Sequence, residues 1–451
     1  MSGILGIDVN NHCWEEIADA VGVLQLRGDE WGGFAVIQGE KIKREADRGK
    51  ITPLLEREGL KLIDPQTAIF HVNQSPYNPQ PAWIEEGVMG PIALAFDGKI
   101  INKEELRQKS PYLVGSEAGI VARLVAAGKD PLDGLNNVYQ NVKGPFSLVL
   151  LTLNGIFAAR DLLGIRPMIL GRFFNGDKVG CAVASESAAL EHIGMELIRD
   201  VRPGEIIAIE ANGFKTIKQF PDAHLAICSF EYGYWARPSS VIEDIWVGEA
   251  RVNAGKRLSC HTSEADIVSG FPMSGNASAE GFHQGSGIIY QSIFDYNAEP
   301  GGRSFLPFSS AVRARRAKNK LLIMPWAVKG KKLIIADDSI VEGNQTLARI
   351  SALKRAGAAE IHLRIETPPI KYSCPFDVTP RGSLLATSHT IEEMRKILRV
   401  DTLVFNTVED FAEAILSAQS DKRRAESPLK MENLCLGCFT GKFPKYPNLY
   451  V

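Results

Sequence analysis

Residues 331–346, Lys-Lys-Leu-Ile-Ile-Ala-Asp-Asp-Ser-Ile-Val-Glu-Gly-Asn-Gln-Thr, constrain the fold more than any other stretch. The apolar run Leu333 to Ala336 reads as a buried strand of a parallel sheet. Two adjacent carboxylates, Asp337 and Asp338, close it. A turn with one glycine, Gly343, follows, and the amphipathic run Leu347 to Ala356 reads as a helix. In an open α/β sheet, ligands bind beyond the carboxyl ends of the strands. A loop that opens a helix there offers free backbone N–H groups to an anion. The acidic pair suits sugar hydroxyls and the loop suits a phosphate. The plain alternative is an ordinary strand–turn–helix with a solvated acidic corner.

One hydrophobic core does not serve 451 residues, so two domains are expected. Lys+Arg 51 against Asp+Glu 53 leaves a net charge of −2. Such a balance supplies no long-range field for nucleic acid or an anionic membrane, so neither is expected as a partner. No stretch approaches the ~18 apolar residues of a membrane span. The opening residues show neither a basic n-region nor a cleavage site, and a cytoplasmic location is expected. Seven cysteines in such a chain point to buried thiols or metal ligands rather than disulfides.

The first half begins with a short apolar strand, Ser2 to Val9, and a helix from Trp14 to Gln25. Strand-like runs follow at 34–37, 68–72, 91–96, 146–152, 156–160, 179–185 and 205–210. Asn154-Gly155, Asn175-Gly176-Asp177 and Asn212-Gly213 punctuate them as hairpin turns. Helical patterns stand at 103–108 and 119–127. The expectation is an α+β domain rich in antiparallel strands. A strand that starts at residue 2 carries a chemical option. Were methionine removed, the α-amine of Ser2, with a pKa near ~8, could act as base for its own hydroxyl. An ordinary buried terminus is the alternative.

Long ordered segments then identify a relationship. They include Ser2-Gly-Ile-Leu-Gly-Ile, Leu24-Gln-Leu-Arg-Gly-Asp-Glu, Lys143-Gly-Pro-Phe-Ser and Ala159-Arg-Asp-Leu-Leu-Gly-Ile-Arg-Pro. Ala184-Ser-Glu-Ser, Ile198-Arg-Asp-Val-Arg-Pro-Gly-Glu-Ile and Phe230-Glu-Tyr-Gly-Tyr-Trp-Ala-Arg-Pro extend the match. The chain resembles the glutamine phosphoribosylpyrophosphate amidotransferase (amidophosphoribosyltransferase) family of purine synthesis along nearly its whole length. The resemblance implies an N-terminal nucleophile (Ntn) glutaminase-like αββα domain at 1–226. A type I phosphoribosyltransferase domain with a parallel sheet follows at 227–451. In the family, glutamine is hydrolysed in the first domain. Ammonia then displaces pyrophosphate from phosphoribosylpyrophosphate in the second. Stretch 331–346 resembles the family's phosphoribosylpyrophosphate signature.

The resemblance also exposes departures. Ser2 stands where the family has a nucleophilic cysteine. Asn73 stands where an arginine anchors the substrate carboxylate, which removes a bidentate contact. Asp97-Gly98 replaces the Asn-Gly of the oxyanion hole. Loss of one oxyanion donor costs about 10²–10³ in rate, and a carboxylate there should cost more. Glu117 replaces an aspartate and Gly119 a nearby glutamate, while Arg27 and Gly28 are kept.

In the second half, Val247–Leu258 reads as a helix and the run at 266–271 as a strand. That strand ends at Pro272-Met273-Ser274-Gly275, where Met273 replaces the aspartate of the family's pyrophosphate loop. Of the family's catalytic loop, Gly302-Arg303-Ser304-Phe305 matches best. Arg313, Arg315, Arg316, Lys318 and Lys320 suit a solvated helical face. The binding set implied is Ser274, Gly275, Arg303, Asp337, Asp338, Ser339, Glu342, Gly343 and Thr346, with Mg²⁺ accompanying a diphosphate ligand. Glu342 stands where arginine is usual, and Asn344 and Gln345 replace small hydroxyl residues.

Cys435-Leu-Gly-Cys438 is a C-x-x-C pair, which suggests metal or redox chemistry. Some family members hold a [4Fe–4S] cluster on four cysteines, and the matching positions are Cys228, Cys374, Cys435 and Cys438. Zinc or unligated thiols remain alternatives. Cys13, Cys181 and Cys260 are expected to be buried small apolar residues. Scaffold residues and cluster thiols match, whereas the residues that handle glutamine and pyrophosphate do not. The favoured reading is therefore a non-catalytic iron–sulfur descendant with a residual site for phosphoribosylpyrophosphate or a purine nucleotide. A working amidophosphoribosyltransferase and an altered Ntn hydrolase using Ser2 are the alternatives. The family association implies a homo-oligomer, a tetramer or dimer.

Overall fold

The computed structural model describes residues 2–10, 13–75, 77–110, 112–175, 178–296, 321–378 and 383–446. The chain divides into two units. One runs to Ile227 and includes the C-terminal segment from Pro444, and the other is Cys228–Phe443.

The first unit is a four-layer αββα sandwich. Its seven-stranded sheet runs Glu196–Asp200, Ile169–Asn175, Lys178–Ala184, Ser2–Val9, Thr67–Asn73, Trp31–Gln38, Lys41–Arg48. Its six-stranded sheet runs Gly213–Gln219, Glu205–Glu210, Gly155–Arg160, Phe146–Thr152, Ile92–Gly98, Ala82–Ile84. Alternation of side chains along each strand sorts the apolar residues into three cores. Leu5, Ile7, Phe70 and Val36 pack under helices Trp14–Leu24 and Ile51–Arg57. Ile4, Ile69, Ala93, Ala95 and Val149 fill the space between the sheets. Leu94, Phe96, Leu148 and Leu150 pack under helices Glu117–Ala126 and Pro131–Asn141. Gly6 faces the inter-sheet layer, where a Cβ would come within 2.6 Å of Val149. The central strand therefore carries no side chain there.

The second unit holds a parallel sheet in the order Ile267–Gly270, Lys332–Asp337, Glu360–Ile365, Thr402–Phe405. The run 333–336 is buried on both faces. Leu333 and Ile335 meet Ile350, Leu353, Met394 and Leu398. Ile334 and Ala336 meet Leu258, Ala279 and Phe282. Helices Val247–Leu258 and Asn276–Ser286 cross closely on that second face. A Cβ on Gly255 would lie 1.9 Å from the Ser278 carbonyl, so the crossing requires glycine. Among the described residues, no helix is long and apolar enough to cross a membrane. Cys13 and Cys181 are buried, as expected. Cys260 is a correction: it is exposed, because it follows the last turn of helix Val247–Leu258 rather than pointing into its packed face.

Candidate functional site

The first unit brings Ser2, Asn73 and Asp97 together by strand parity. Ser2 pairs with Asn73, and Ile4 with His71, across two central antiparallel strands. Asp97 is next to last in the facing strand Ile92–Gly98, on the same parity as the inter-sheet residues Ala93 and Ala95. The backbone N–H of Ser2 donates to Asp97 Oδ1 at 3.0 Å, a buried contact. Asp97 Oδ2 is buried without a partner among the described residues. Gly98 is confined: a Cβ would lie 2.5 Å from the Pro145 carbonyl.

Asn73 is committed to the chain itself. Its Nδ2 donates to the Asn78 carbonyl at 2.7 Å, and its Oδ1 accepts from Ser75 N–H at 2.9 Å. These bonds shape the turn that follows the strand, and a group so occupied at both ends is a poor ligand anchor. Gly28 packs on the same residue, where a Cβ would come within 2.2 Å of the Asn73 carbonyl carbon. Glu117 opens helix Glu117–Ala126, where a carboxylate complements the helix dipole, and pairs with Lys99 at 2.8 Å. Arg27 forms a fully buried ion pair with Glu186 at 2.8 Å.

His71, Lys99 and Glu186 were not singled out by residue pattern. For His71 a signal existed, since its place on an alternating strand puts it between the sheets. It is 1% exposed, and neither ring nitrogen has a hydrogen-bond partner among the described residues. Burial pushes His71 down to about 3, against the pull of the Asp97 carboxylate. The Phe96 carbonyl also favours the charged ring, but without well-formed hydrogen-bond geometry. The unfolded chain protonates this histidine near 6.5, whereas the folded chain does not until about 3. In that window the unfolded state binds more protons, so stability rises with pH and is lost on acidification. Urea unfolding at pH 5 should show about 2 kcal/mol less stability from this group than at pH 7, and His71→Gln should lack that increment.

The second unit assembles the acidic corner. Asp337 and Asp338 lie at the carboxyl end of the sheet, both buried. Ser274 Oγ donates to Asp337 Oδ1 at 3.4 Å, and Ser339 Oγ to Asp338 Oδ2 at 2.5 Å. Arg349, from helix Asn344–Arg355, reaches Asp337 at 3.6 Å and lies over the Phe271 ring. Burial, then the neighbouring Asp338, pushes Asp337 well above the usual carboxylate range, and Arg349 opposes this. Gly275 lies against the strand end, where a Cβ would be 2.2 Å from the Ala336 carbonyl. Gly343, at φ +79°, turns the chain into the helix, and Thr346 is buried in its first turn. Glu342 accepts from Asn344 Nδ2 at 3.3 Å. Arg303, with Arg313, Arg315, Arg316, Lys318 and Lys320, lies outside the described residues.

Cys228, Cys374, Cys435 and Cys438 are all buried in the second unit. The strand carrying Cys228 pairs with Leu434–Cys435. Lys371 and Tyr372 donate backbone N–H groups to the Cys438 carbonyl at 3.0 Å, which draws the Cys374 loop in. Burial pushes the Cys228 thiol well up, and the other three cysteines all add to the shift, so the four share one neighbourhood. Cys435 is pushed up to about 12 by burial. Among the described residues, no three His, Cys, Asp or Glu side chains converge to hold a single metal ion. Four buried thiols in one neighbourhood are the donor type that a [4Fe–4S] cluster takes.

A family model described as a glutamine amidotransferase domain matches residues 68–192. The amidophosphoribosyltransferase of Bacillus subtilis is 33% identical over 437 residues, covering 93% of this chain and 89% of that protein. That of Archaeoglobus fulgidus is 31% identical, covering 93% and 92%. The solved structure of glutamine phosphoribosylpyrophosphate amidotransferase from B. subtilis, complexed with ADP and GMP, superposes with a TM-score of 0.86 at 31% identity. It covers 99% of each chain. A structure described as the allosteric regulatory enzyme of purine biosynthesis gives a TM-score of 0.87 at 30% identity, covering 99% of this chain and 97% of that one.

Proposed function

The chain belongs to the amidophosphoribosyltransferase family, and from that premise we propose that it is a non-catalytic iron–sulfur member. In this reading it has lost glutamine hydrolysis and phosphoribosyl transfer. It keeps a site for a ribosyl compound or purine nucleotide, in a regulatory or scaffold role. The observation that carries the reading is the contact between Ser2 N–H and Asp97 Oδ1. A carboxylate occupies the place from which a developing oxyanion would have to be stabilised. Asn73 supports it, because its amide is spent on Ser75 and Asn78. In the second unit, Ser274, Ser339 and Arg349 are likewise bound to the acidic pair.

Cys228, Cys374, Cys435 and Cys438 would hold a [4Fe–4S] cluster, which supplies a redox-active and structural centre when bound. The chain's own part is to bury the thiols and position them. Mg²⁺ would enter with a diphosphate-bearing ligand at Asp337 and Asp338. The ADP and GMP of the B. subtilis structure support a purine nucleotide as ligand class. A cytoplasmic homo-oligomer, dimer or tetramer, completes the reading.

Glutamate release from glutamine tests it. The rate should lie at least about 10²–10³ below that of the B. subtilis relative. A rate comparable to that of the relative would restore the working enzyme as the better reading.

A further inference from the structure

The thiol site of the second unit is assembled from stretches far apart in the chain, and the pieces that carry the sulfurs are short. Cys228 and Cys435 lie on paired strands of two residues each, Ile227–Cys228 and Leu434–Cys435. So short a ladder makes few hydrogen bonds, while bringing its distant ends together costs chain entropy. A side chain supplies a further tie. Ser229 is 0% exposed, and its Oγ donates to the Cys435 carbonyl at 2.8 Å. A buried hydroxyl is costly unless it is bonded, so a plain core position would be served as well by alanine. Here the hydroxyl joins the residue after one thiol to the backbone of another.

The other two thiols are joined by a ring. A Cβ on Gly437 would lie 2.2 Å from the Phe443 ring, so Phe443 fills the space where a side chain at 437 would stand. Gly437 precedes Cys438 in the C-x-x-C turn. The Phe443 and Phe376 rings meet edge to face, with centroids 5.8 Å apart and planes at 89°. Phe376 follows Cys374 by two residues. Phe443 therefore touches both thiol-bearing segments, and it adds to the backbone bonds from Lys371 and Tyr372 to the Cys438 carbonyl. Neither Ser229 nor Phe443 carries a thiol, yet each holds two thiol-bearing segments together.

We propose that Ser229 and Phe443 are positioning residues of this site. Ser229 fixes Cys228 against Cys435, and Phe443 fixes the Cys374 loop against the C-x-x-C turn. The proposal rests on the cluster reading above and names the side chains that hold its four ligands in place.

Two measurements on the full chain test it. In the first, anaerobically purified, iron-loaded protein meets an iron chelator, and loss of the cluster's visible absorbance is followed. Ser229→Ala and Phe443→Ala should each lose the cluster about 10–100-fold faster than wild type, the usual effect of removing a partner that orients a metal ligand. Gly437→Ala should act alike by displacing the ring. Combined with Phe443→Ala it should be no faster than Phe443→Ala alone, because both changes remove one contact. In the second measurement, metal-free protein is labelled with iodoacetamide and its thiols are mapped by mass spectrometry. Ser229→Ala should speed labelling of Cys228 and Cys435, and Phe443→Ala that of Cys374 and Cys438, each about tenfold. Asn406→Ala removes buried side-chain bonds to the Ala254 and Glu366 carbonyls. It should lower the melting temperature and leave both rates alone. Rates unchanged from wild type in Ser229→Ala and Phe443→Ala overturn the proposal, and so does equal acceleration in Asn406→Ala. Wild-type protein that takes up no iron would instead overturn the cluster reading, and the labelling rates then decide the positioning roles by themselves.

Discussion

Cys438→Ala should empty the proposed cluster site. Iron in anaerobically purified protein should fall from about four per chain to well below one, with sulfide falling in parallel. The reason is geometric and energetic. Cys438 anchors the loop of Cys374 through its own carbonyl, and its thiol is one of four gathered in a buried pocket. Removing one thiolate leaves three ligands where the cluster needs four. The binding energy of a buried metal group is folding energy, so the second unit should also melt at a lower temperature. Cys260→Ala is the matched control, because Cys260 is exposed whereas the four are buried, and iron content should not change. Loading should also release protons, since a thiol held up near 12, such as Cys435, must ionise to ligate. An iron content unchanged in Cys438→Ala would remove that residue from the ligand set.

Arg27→Ala should be the most damaging single change in the first unit. Arg27 and Glu186 are fully buried and 2.8 Å apart. Removing the guanidinium breaks a buried ion pair, which costs about 3–5 kcal/mol. Replacing both members by methionine should recover most of that loss, because a well-packed apolar pair is often no less stable than a buried ion pair. Urea unfolding of the single and double variants separates the two outcomes. A single variant within about 1 kcal/mol of wild type would show the pair to be unimportant, as surface pairs usually are.

Much of the architecture was legible from local chemistry. The Asn-Gly turns at 154–155 and 212–213 each join two antiparallel strands. The apolar run 333–336 lies in a parallel strand, and Val247–Leu258 is a helix with the expected bounds. Other elements gave no apolar period to find. Lys41–Arg48 is a strand at a sheet edge, and its sequence KIKREADR carries charge because one side has no neighbouring strand. Helix Pro131–Asn141 buries only Gly134, Leu135 and Val138, too few for a stripe, although Asp130 and Pro131 mark its start.

The sites were legible as residue types but not as contacts. Asp97-Gly98 was visible in the chain, but the bond of Asp97 to Ser2 depends on how two sheets face each other. Asn73 was weighed as a pocket residue, whereas its hydrogen bonds run within its own turn. His71 could have been placed between the sheets by its parity with Ile69, but nothing in the residue pattern marks its ring as unpartnered. Its importance comes from the degree of its burial, which the packed structure reveals.

The central claim is that the family fold and its cluster thiols persist here without the family's reaction. Pyrophosphate release from phosphoribosylpyrophosphate measures it most directly, using anaerobically prepared, iron-loaded protein with Mg²⁺ and ammonia. Ammonia replaces glutamine, so the assay interrogates the second unit, where Asp337, Asp338 and Glu342 lie. The account predicts no release above the enzyme-free background. Steady turnover, lost on Asp338→Asn, would contradict it.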